Sequence, residues 1–216
     1  MRLYNAKIVG KNTLPENFRL LVSGPTGCGK TTFVKELLQS KRLKKKIRHV
    51  YYCYPDSFDS PPVDWHTIPD LIVTYCPFLP DNEFIKDLKK NSLLVLDDVF
   101  DSAIKSRAIS DALRIHSRRR FSMVLITQNF FDSGQHSVSM RNQLNAVVLF
   151  RNFGNVRTNR QVADQLDVKS QFLQAEKATE TRKYDPIVIL SSEIVSSPEM
   201  RVQTQFLHPC ISYCYK

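Results

Sequence analysis

A glycine-rich turn between an apolar segment and a helical pattern constrains the fold of this chain more than any other feature. Its sequence, Gly24-Pro25-Thr26-Gly27-Cys28-Gly29-Lys30-Thr31, matches the spacing GxxxxGK[ST] at every fixed position. Residues 18–23 precede the turn as a short buried strand pattern, and residues 31–43 follow it with helical periodicity. Glycine lets successive backbone N–H groups face phosphate oxygens, and the helix N-terminus adds its positive dipole end. The sequence therefore predicts a phosphate-binding loop.

The residue types in this loop predict how a nucleoside triphosphate and its metal would be bound. Lys30 is long enough to reach the β- and γ-phosphates, and the Thr31 hydroxyl is a suitable Mg²⁺ ligand. The predicted nucleotide contacts are Gly24, Pro25, Thr26, Gly27, Cys28, Gly29, Lys30, Thr31 and Thr32. The cofactors expected from this arrangement are ATP and Mg²⁺.

Two adjacent carboxylates follow another apolar strand pattern, residues 93–96. Asp97 ends that strand, where a carboxylate can hold Mg²⁺. The side chain of Asp98 leaves on the other side and can polarise a water for attack on the γ-phosphate. Glutamate is more common than aspartate in this second place, and helix capping by Asp98 or Asp101 is the structural alternative. The pair favours hydrolysis over phosphate transfer to a substrate.

A third polar strand end, Thr127-Gln128-Asn129, follows the buried pattern of residues 123–127. If this strand neighbours the strand before the phosphate loop, its terminal side chain lies beside the γ-phosphate. We therefore predict that Gln128, or failing that Asn129, binds the γ-phosphate or holds the attacking water. An ordinary turn at the strand end is the structural alternative.

Three consecutive arginines, Arg118, Arg119 and Arg120, precede that strand. Charged side chains in such a run are costly to bury, so they are expected at the surface. An arginine finger that stabilises the γ-phosphate of a neighbouring subunit is one use. Contact with a DNA backbone and simple solvation are the others, and Arg141 is a rival for the finger.

The net charge favours a polyanionic partner. Lysine and arginine outnumber aspartate and glutamate to give a formal charge of +10, which is typical of nucleic-acid binding and otherwise serves solubility. No apolar run approaches the roughly 20 residues that cross a bilayer, and the first residues lack the apolar core of a secretory signal. The five cysteines include no CxxC pair, which favours free thiols in a reducing, intracellular compartment.

Apolar strand patterns alternate with helical patterns along most of the chain. Further strands are predicted at residues 49–54, 71–75, 145–150 and 186–190, and helices at residues 81–90, 101–118 and 160–166. Because nearly all strands are apolar on both faces, the pattern predicts an α/β fold with a mainly parallel sheet sandwiched by helices. We expect one ATPase domain over residues 1–195, and a C-terminal arm or extension over the poorly patterned residues 196–216.

The order of these motifs resembles the FtsK/HerA superfamily, and within it the short poxvirus-type genome-packaging ATPases of large DNA viruses, virophages and Maverick/Polinton elements. The resemblance spans residues 18–190. It is carried by residues 24–32, 93–98, 121–131, 144–152 and 160–166. The Thr127-Gln128-Asn129 strand end and the Leu-Asn…Leu-Phe-Arg-Asn block of residues 144–152 are its most particular parts.

The resemblance implies a RecA/ASCE-like P-loop NTPase in which the strand before Gln128 lies between the loop strand and the Asp97 strand. It also implies a homo-oligomeric ring, a pentamer or hexamer, that translocates double-stranded DNA into a capsid with ATP bound between subunits. Arg119 is then the arginine finger, although this chain has His116 and Ser117 followed by three arginines where relatives often have one arginine beside a histidine. A capsid vertex or portal is the implied partner, no membrane is involved, and the implied location is the host nucleus, a cytoplasmic virus factory or the virion.

Two other functions compete with a DNA-translocating ATPase. A nucleoside or nucleotide kinase would need an arginine-rich lid and a nucleoside pocket, and the sequence has no clear lid. A nucleotide-gated adaptor without catalysis would not need Lys30, Thr31, Asp97 and Asp98 together.

Overall fold

The computed structural model describes residues 6–9, 12–103, 105–119, 121–128, 130, 137–151, 156–180, 184–208 and 212–215. Its strands are β1 Ala6–Val9, β2 Arg19–Ser23, β3 His49–Cys53, β4 Ile72–Cys76, β5 Leu93–Asp97, β6 Ser122–Thr127, β7 Ala146–Leu149, β8 Ile187–Leu190, β9 Val202–Thr204 and β10 Ser212–Tyr215. Its α-helices are α1 Lys30–Gln39, α2 Asn82–Asp87, α3 Phe100–Ala103, α4 Arg107–Arg119, α5 Ser137–Asn142, α6 Val156–Gln165 and α7 Lys169–Ala178, with a 3₁₀ turn at Pro198–Met200.

The described strands form one sheet of ten, in the order β1-β10-β9-β8-β7-β2-β6-β5-β3-β4. The strands from β7 to β4 are parallel, as expected when helical crossovers connect them. The remaining strands, from β8 to β1, are added antiparallel at the other edge. The predicted α/β fold with a mainly parallel sheet is confirmed.

The two faces of the sheet bury separate sets of side chains. Along β5, Leu93 and Val95 pack with the apolar side of α1, while Leu94 and Leu96 pack with α2, α4 and α6 on the opposite face. Helices therefore cover both faces, which explains why the parallel strands are apolar without alternation. Burial of each such leucine or valine contributes roughly 1.5–3 kcal/mol relative to exposure.

Helix α1 ends earlier than its predicted limit at residue 43. It stops at Gln39, because the backbone N–H of Ser40 and its hydroxyl both donate to the carbonyl of Leu37, at 3.2 and 2.8 Å. Among the basic residues that follow, Arg42 is buried and only 2% exposed. Its guanidinium donates to the His208 carbonyl at 3.0 Å and the Ser212 hydroxyl at 2.8 Å.

The predicted single helix over residues 101–118 is wrong in one respect, since two helices occupy this region. Helix α3 ends at Ala103 and α4 begins at Arg107. The hydroxyl of Ser106 accepts a hydrogen bond from the backbone N–H of Ile109 at 3.4 Å, as a serine before a helix commonly does.

No described helix is long and apolar enough to cross a membrane.

The C-terminal segment, expected as an arm or extension, contributes two strands to the sheet. Strand β9 pairs with β8, and β10 pairs with both β9 and β1. Hydropathy does not predict these strands, because several of their buried residues are polar. Gln203, Thr204 and Ser212 are at most 1% exposed. Thr204 and Tyr215 satisfy each other through a hydroxyl–hydroxyl bond of 2.9 Å.

Candidate active site

Three neighbouring parallel strands bring the predicted site residues to one edge of the sheet. Strand β6 lies between β2 and β5, with Ser23 opposite Thr127 and Ile126 opposite Asp97. The phosphate loop follows β2, Gln128 follows β6, and Asp98 follows β5. The expected position of the strand before Gln128 is therefore confirmed, and the carboxyl ends of these strands place the loop, the amide and the two acids together.

The loop has the backbone conformation that its glycines predict. Gly27 and Gly29 have φ values of +74° and +99°, in the left-handed region that favours glycine. At Gly24 the constraint is space, because an added Cβ would lie 2.6 Å from the Phe150 Cβ and 2.8 Å from the Cys28 Sγ. The Gly24 N–H donates to the Thr127 carbonyl at 3.2 Å, which joins the start of the loop to the end of β6.

Lys30 curls back over this turn. Its ammonium donates to the carbonyls of Gly24 and Pro25, at 2.8 and 3.0 Å. The positive charge is thus held inside the loop whose backbone N–H groups are expected to face phosphate oxygens. Among the predicted nucleotide contacts, Thr26 and Thr32 are exposed and Cys28 is buried, where burial raises the pKa of its thiol.

Asp97 lies at the centre of a small hydrogen-bonded group. The Thr31 hydroxyl is 3.5 Å from its Oδ2, and the Tyr52 hydroxyl donates a short hydrogen bond to the same oxygen. Burial raises the pKa of the Asp97 carboxyl, the Asp98 charge acts in the same direction, and the bond from Tyr52 opposes both. Burial also raises the pKa of Tyr52 far above its usual range, so the phenol remains a donor.

The donor set at Thr31 and Asp97 fits a magnesium site. One hydroxyl and one carboxylate oxygen are hard ligands of the kind that Mg²⁺ binds together with phosphate oxygens and water. Tyr52 was not predicted from the sequence. It lies on β3, next to β5, with Val95 opposite it in the register, and only this strand order brings its hydroxyl to Asp97.

Asp98 and Gln128 lie beside each other at the exposed end of this group. The Gln128 Nε2 is 3.5 Å from the Asp98 Oδ1. Asp98 has a φ of +56°, whereas a helix N-cap residue normally has an extended backbone. This conformation argues against a capping role for Asp98 and leaves its carboxylate facing the amide, where one water could contact both.

The arginine-finger prediction is not tested by the contacts described. Arg118 and Arg119 end α4, but their side chains lie outside the described part of the chain, as do Arg120 and Asn129 entirely. Arg141, the rival, lies on α5 with its guanidinium 5.9 Å from the ring centroid of Phe130.

Residues 144–151, the described part of the block that carries the family resemblance, make structural contacts. The Asn145 Oδ1 accepts the backbone N–H of Arg19 at 2.9 Å, and this bond joins the starts of β7 and β2. Arg151 pairs with Glu180, with a guanidinium–carboxylate distance of 3.6 Å. Asn152 lies outside the described residues.

Comparison with known proteins gives one family and a group of similar structures. The model of the Rad17 P-loop domain family matches residues 8–132. A comparison with curated proteins gives no match.

The similar structures include the genome packaging NTPase B204 of Sulfolobus turreted icosahedral virus 2. Its complex with ATP-gammaS has a TM-score of 0.55 at 14% identity, over 83% of this chain and 94% of that one. Its complex with AMP has a TM-score of 0.54 at 12% identity, over 87% and 96%. B204 of Sulfolobus turreted icosahedral virus, described as a DNA-packaging ATPase, gives 0.55 at 15% identity, over 84% and 96%. At such low identity the likeness establishes the fold.

Proposed function

We propose that this chain, which belongs to the Rad17 P-loop domain family, hydrolyses ATP and uses the energy to move double-stranded DNA into a viral or viral-like capsid. The observation that carries the hydrolytic part is the meeting of the phosphate loop, Asp97, Asp98 and Gln128 at one edge of the sheet. A kinase would need a substrate hydroxyl where Asp98 and Gln128 face each other.

Each side chain has a separate role in this reaction. Lys30 and the loop N–H groups bind the β- and γ-phosphates, and Thr31 and Asp97 would hold Mg²⁺, which supplies positive charge against the phosphate oxygens. Gln128 orients a water, whose oxygen attacks the γ-phosphorus while the bond to the ADP oxygen breaks. Asp98 accepts the proton of that water. The products are ADP and phosphate.

Three observations support DNA packaging as the use of this energy. The sequence motifs resemble those of poxvirus-type packaging ATPases. The fold is similar to that of B204, a genome packaging NTPase. The formal charge of +10 suits a polyanionic substrate. We accordingly propose a homo-oligomeric ring, a pentamer or hexamer, that acts at a capsid vertex or portal inside the host cell or in the virion, with no membrane involved.

Phosphate release with and without duplex DNA, at two salt concentrations, tests this function. We expect duplex DNA to stimulate hydrolysis of Mg-ATP, and the stimulation to weaken at the higher salt because DNA binding releases counterions. Hydrolysis that DNA does not change would contradict translocation and leave the ATPase. Transfer of phosphate to an added nucleoside would identify a kinase, and binding without turnover would identify an adaptor.

Mixed rings test the proposed arginine finger at Arg119. Arg119→Ala should remove hydrolysis, because a finger in the transition state is worth roughly 10³- to 10⁵-fold in rate. If the finger acts on a neighbour's nucleotide, mixing Arg119→Ala with Lys30→Ala subunits should restore part of the activity. The same mixture with Arg118→Ala or Arg141→Ala identifies which arginine acts. Failure of every mixture to recover activity would contradict action in trans.

A further inference from the structure

A cleft of about 810 Å³ opens beside the phosphate loop, on the side away from Asp97 and Asp98. Its volume lies within the range of roughly 300–1,000 Å³ that small-molecule sites occupy. The loop and the first turns of α1 form one wall, and Phe150 closes the back. The outer wall comes from residues 184–186, before β8, and residues 205–208, between β9 and β10.

The strand order gives the cleft a direction relative to a bound nucleotide. Strand β2, which leads into the loop, has β6 on one side and β7 on the other. Asp98 and Gln128 follow the strands on the β6 side, so the γ-phosphate faces that way. The other end of the nucleotide must then leave the loop on the β7 side. Phe150 directly follows β7, so the cleft lies where the sugar and base are expected.

Aromatic side chains reach the loop itself from this side. A Cβ added to Gly29 would lie 3.7 Å from Phe150 Cε1 and 3.9 Å from Tyr184 Cδ1. Tyr184 lines the cleft and is 61% exposed. Phe33 packs against Phe150 with a centroid distance of 6.2 Å in an edge-to-face arrangement. Phe33 and Phe150 are buried, so among these three rings it is the exposed ring of Tyr184 that offers a flat partner for a base at the loop.

The charged groups of the cleft exclude one class of ligand and favour another. Glu36 and Asp185 both line it, and two carboxylates disfavour a second phosphate group. The same oxygens can accept hydrogen bonds from sugar hydroxyls or from the amino group of a base. Aromatic surface with acceptors beside a phosphate loop is the chemistry of a nucleoside site.

The outer wall is fixed by internal hydrogen bonds. The Asp185 Oδ1 accepts the backbone N–H of Gln205 at 3.0 Å, which joins the two segments of the wall. Buried Arg42 donates to the His208 carbonyl at 3.0 Å and lies 5.1 Å from the ring centroid of Phe206. The cleft is therefore preorganised for a ligand, which reduces the entropy lost on binding.

We propose that this cleft binds the nucleoside part of the triphosphate, with a purine base stacked on Tyr184 and the sugar near Asp185. The inference rests on the proposed phosphate site and assigns the recognition of the base to the antiparallel side of the sheet. Recognition there depends on the ring of Tyr184, and phosphate binding depends on Lys30.

Calorimetric binding of Mg-ATP-gammaS and of Mg-tripolyphosphate separates the two sites, because tripolyphosphate has no nucleoside. The full-length protein should bind Mg-ATP-gammaS more tightly than Mg-tripolyphosphate. Tyr184→Ala should weaken Mg-ATP-gammaS binding roughly 5- to 100-fold, the range expected for loss of one base–aromatic stack, and leave tripolyphosphate binding unchanged. Tyr184→Phe, which keeps the ring, should retain most of the affinity. Phe78→Ala, an exposed aromatic residue that follows the opposite edge strand β4, is the matched control and should change neither.

Equal affinity of the wild-type protein for the two ligands would overturn the nucleoside site while leaving the phosphate site intact. An equal loss in Tyr184→Phe and Tyr184→Ala would also overturn it, because stacking does not need the hydroxyl. Binding of neither ligand by the wild-type protein would instead contradict the proposed function.

Discussion

The parallel and antiparallel parts of the sheet build their share of the site in different ways. In the parallel part, from β7 to β4, the ends of neighbouring strands meet at one edge, so the loop after β2 and the residues that follow β6 and β5 come together there. In the antiparallel part, from β8 to β1, successive strand ends alternate between edges. The cleft wall there is made by two connecting segments, which the Gln205–Asp185 hydrogen bond joins and which buried Arg42 contacts at His208. The comparison indicates that the proposed phosphate site is positioned by sheet topology, whereas the proposed nucleoside site is positioned by side-chain contacts between distant segments.

The largest expected effect is on the parallel side, at Asp98. Asp98→Asn should reduce turnover of Mg-ATP by roughly 10²- to 10⁴-fold, the usual contribution of a general base, with ATP-gammaS binding retained. Asparagine tolerates the φ of +56° as aspartate does, so the backbone should not change. Asp87→Asn, at the exposed end of α2, is the control. Full turnover by Asp98→Asn in a phosphate-release assay would remove this residue from the base role.

Lys30→Ala should have the next largest effect. Loss of the ammonium removes positive charge from the γ-phosphate, and we expect turnover to fall roughly 10²- to 10³-fold. The control is Lys35→Ala on the same helix, because the Lys35 ammonium contacts the exposed Thr67 hydroxyl at 3.2 Å and lies away from the loop. Equal turnover of Mg-ATP by the two variants in steady-state kinetics would contradict the role of Lys30 at the γ-phosphate.

Tyr52→Phe should produce a smaller change that depends on metal concentration. Removing the bond to Asp97 should raise the Mg²⁺ concentration needed for half-maximal activity by roughly 10- to 100-fold, as for other partners of metal ligands. Tyr54→Phe is a closely matched control, since Tyr54 directly follows β3 and is only 5% exposed. A Mg²⁺ titration in which both variants match the wild type would show that Tyr52 does not position Asp97.

Arg42→Met tests the antiparallel side and should have the smallest effect. Methionine fills part of the space but leaves buried carbonyl and hydroxyl acceptors without their donor, which should lower the free energy of unfolding by about 1–3 kcal/mol. Denaturant titration measures this change, with exposed Lys41→Met as the control. Because the loss falls on the cleft wall, nucleoside affinity should weaken while tripolyphosphate binding is retained. An equal loss for both ligands would contradict the division between the two sides.

The sequence predicted the parallel part well for physical reasons. The spacing of the glycine turn is set by the phosphate group it surrounds, and strands covered on both faces are apolar throughout, so both features are local and readable. The position of β6 between β2 and β5 came from the family resemblance and not from periodicity.

Other features depend on contacts between distant residues. Tyr52 reaches Asp97 only because β3 adjoins β5. Arg42 contacts residues 208 and 212, although Lys41 before it and residues 44–46 after it are exposed lysines. Strands β9 and β10 escaped prediction because buried Gln203, Thr204 and Ser212 interrupt the apolar alternation. The Tyr184 cleft has no local motif, since its walls come from four separate parts of the chain.

The pairing of β1 with β10 affects the order in which the parts of the sheet fold. Ala6 lies opposite Tyr215, and Val9 lies opposite Ser212, in an antiparallel register. As the chain leaves the ribosome, β1 has no such partner until residues 212–215 emerge. Such distant pairing slows folding, and an unpaired strand edge can join the wrong partner in the interval. The parallel strands and the phosphate loop can assemble first, so closure of the antiparallel edge should be a late event in folding.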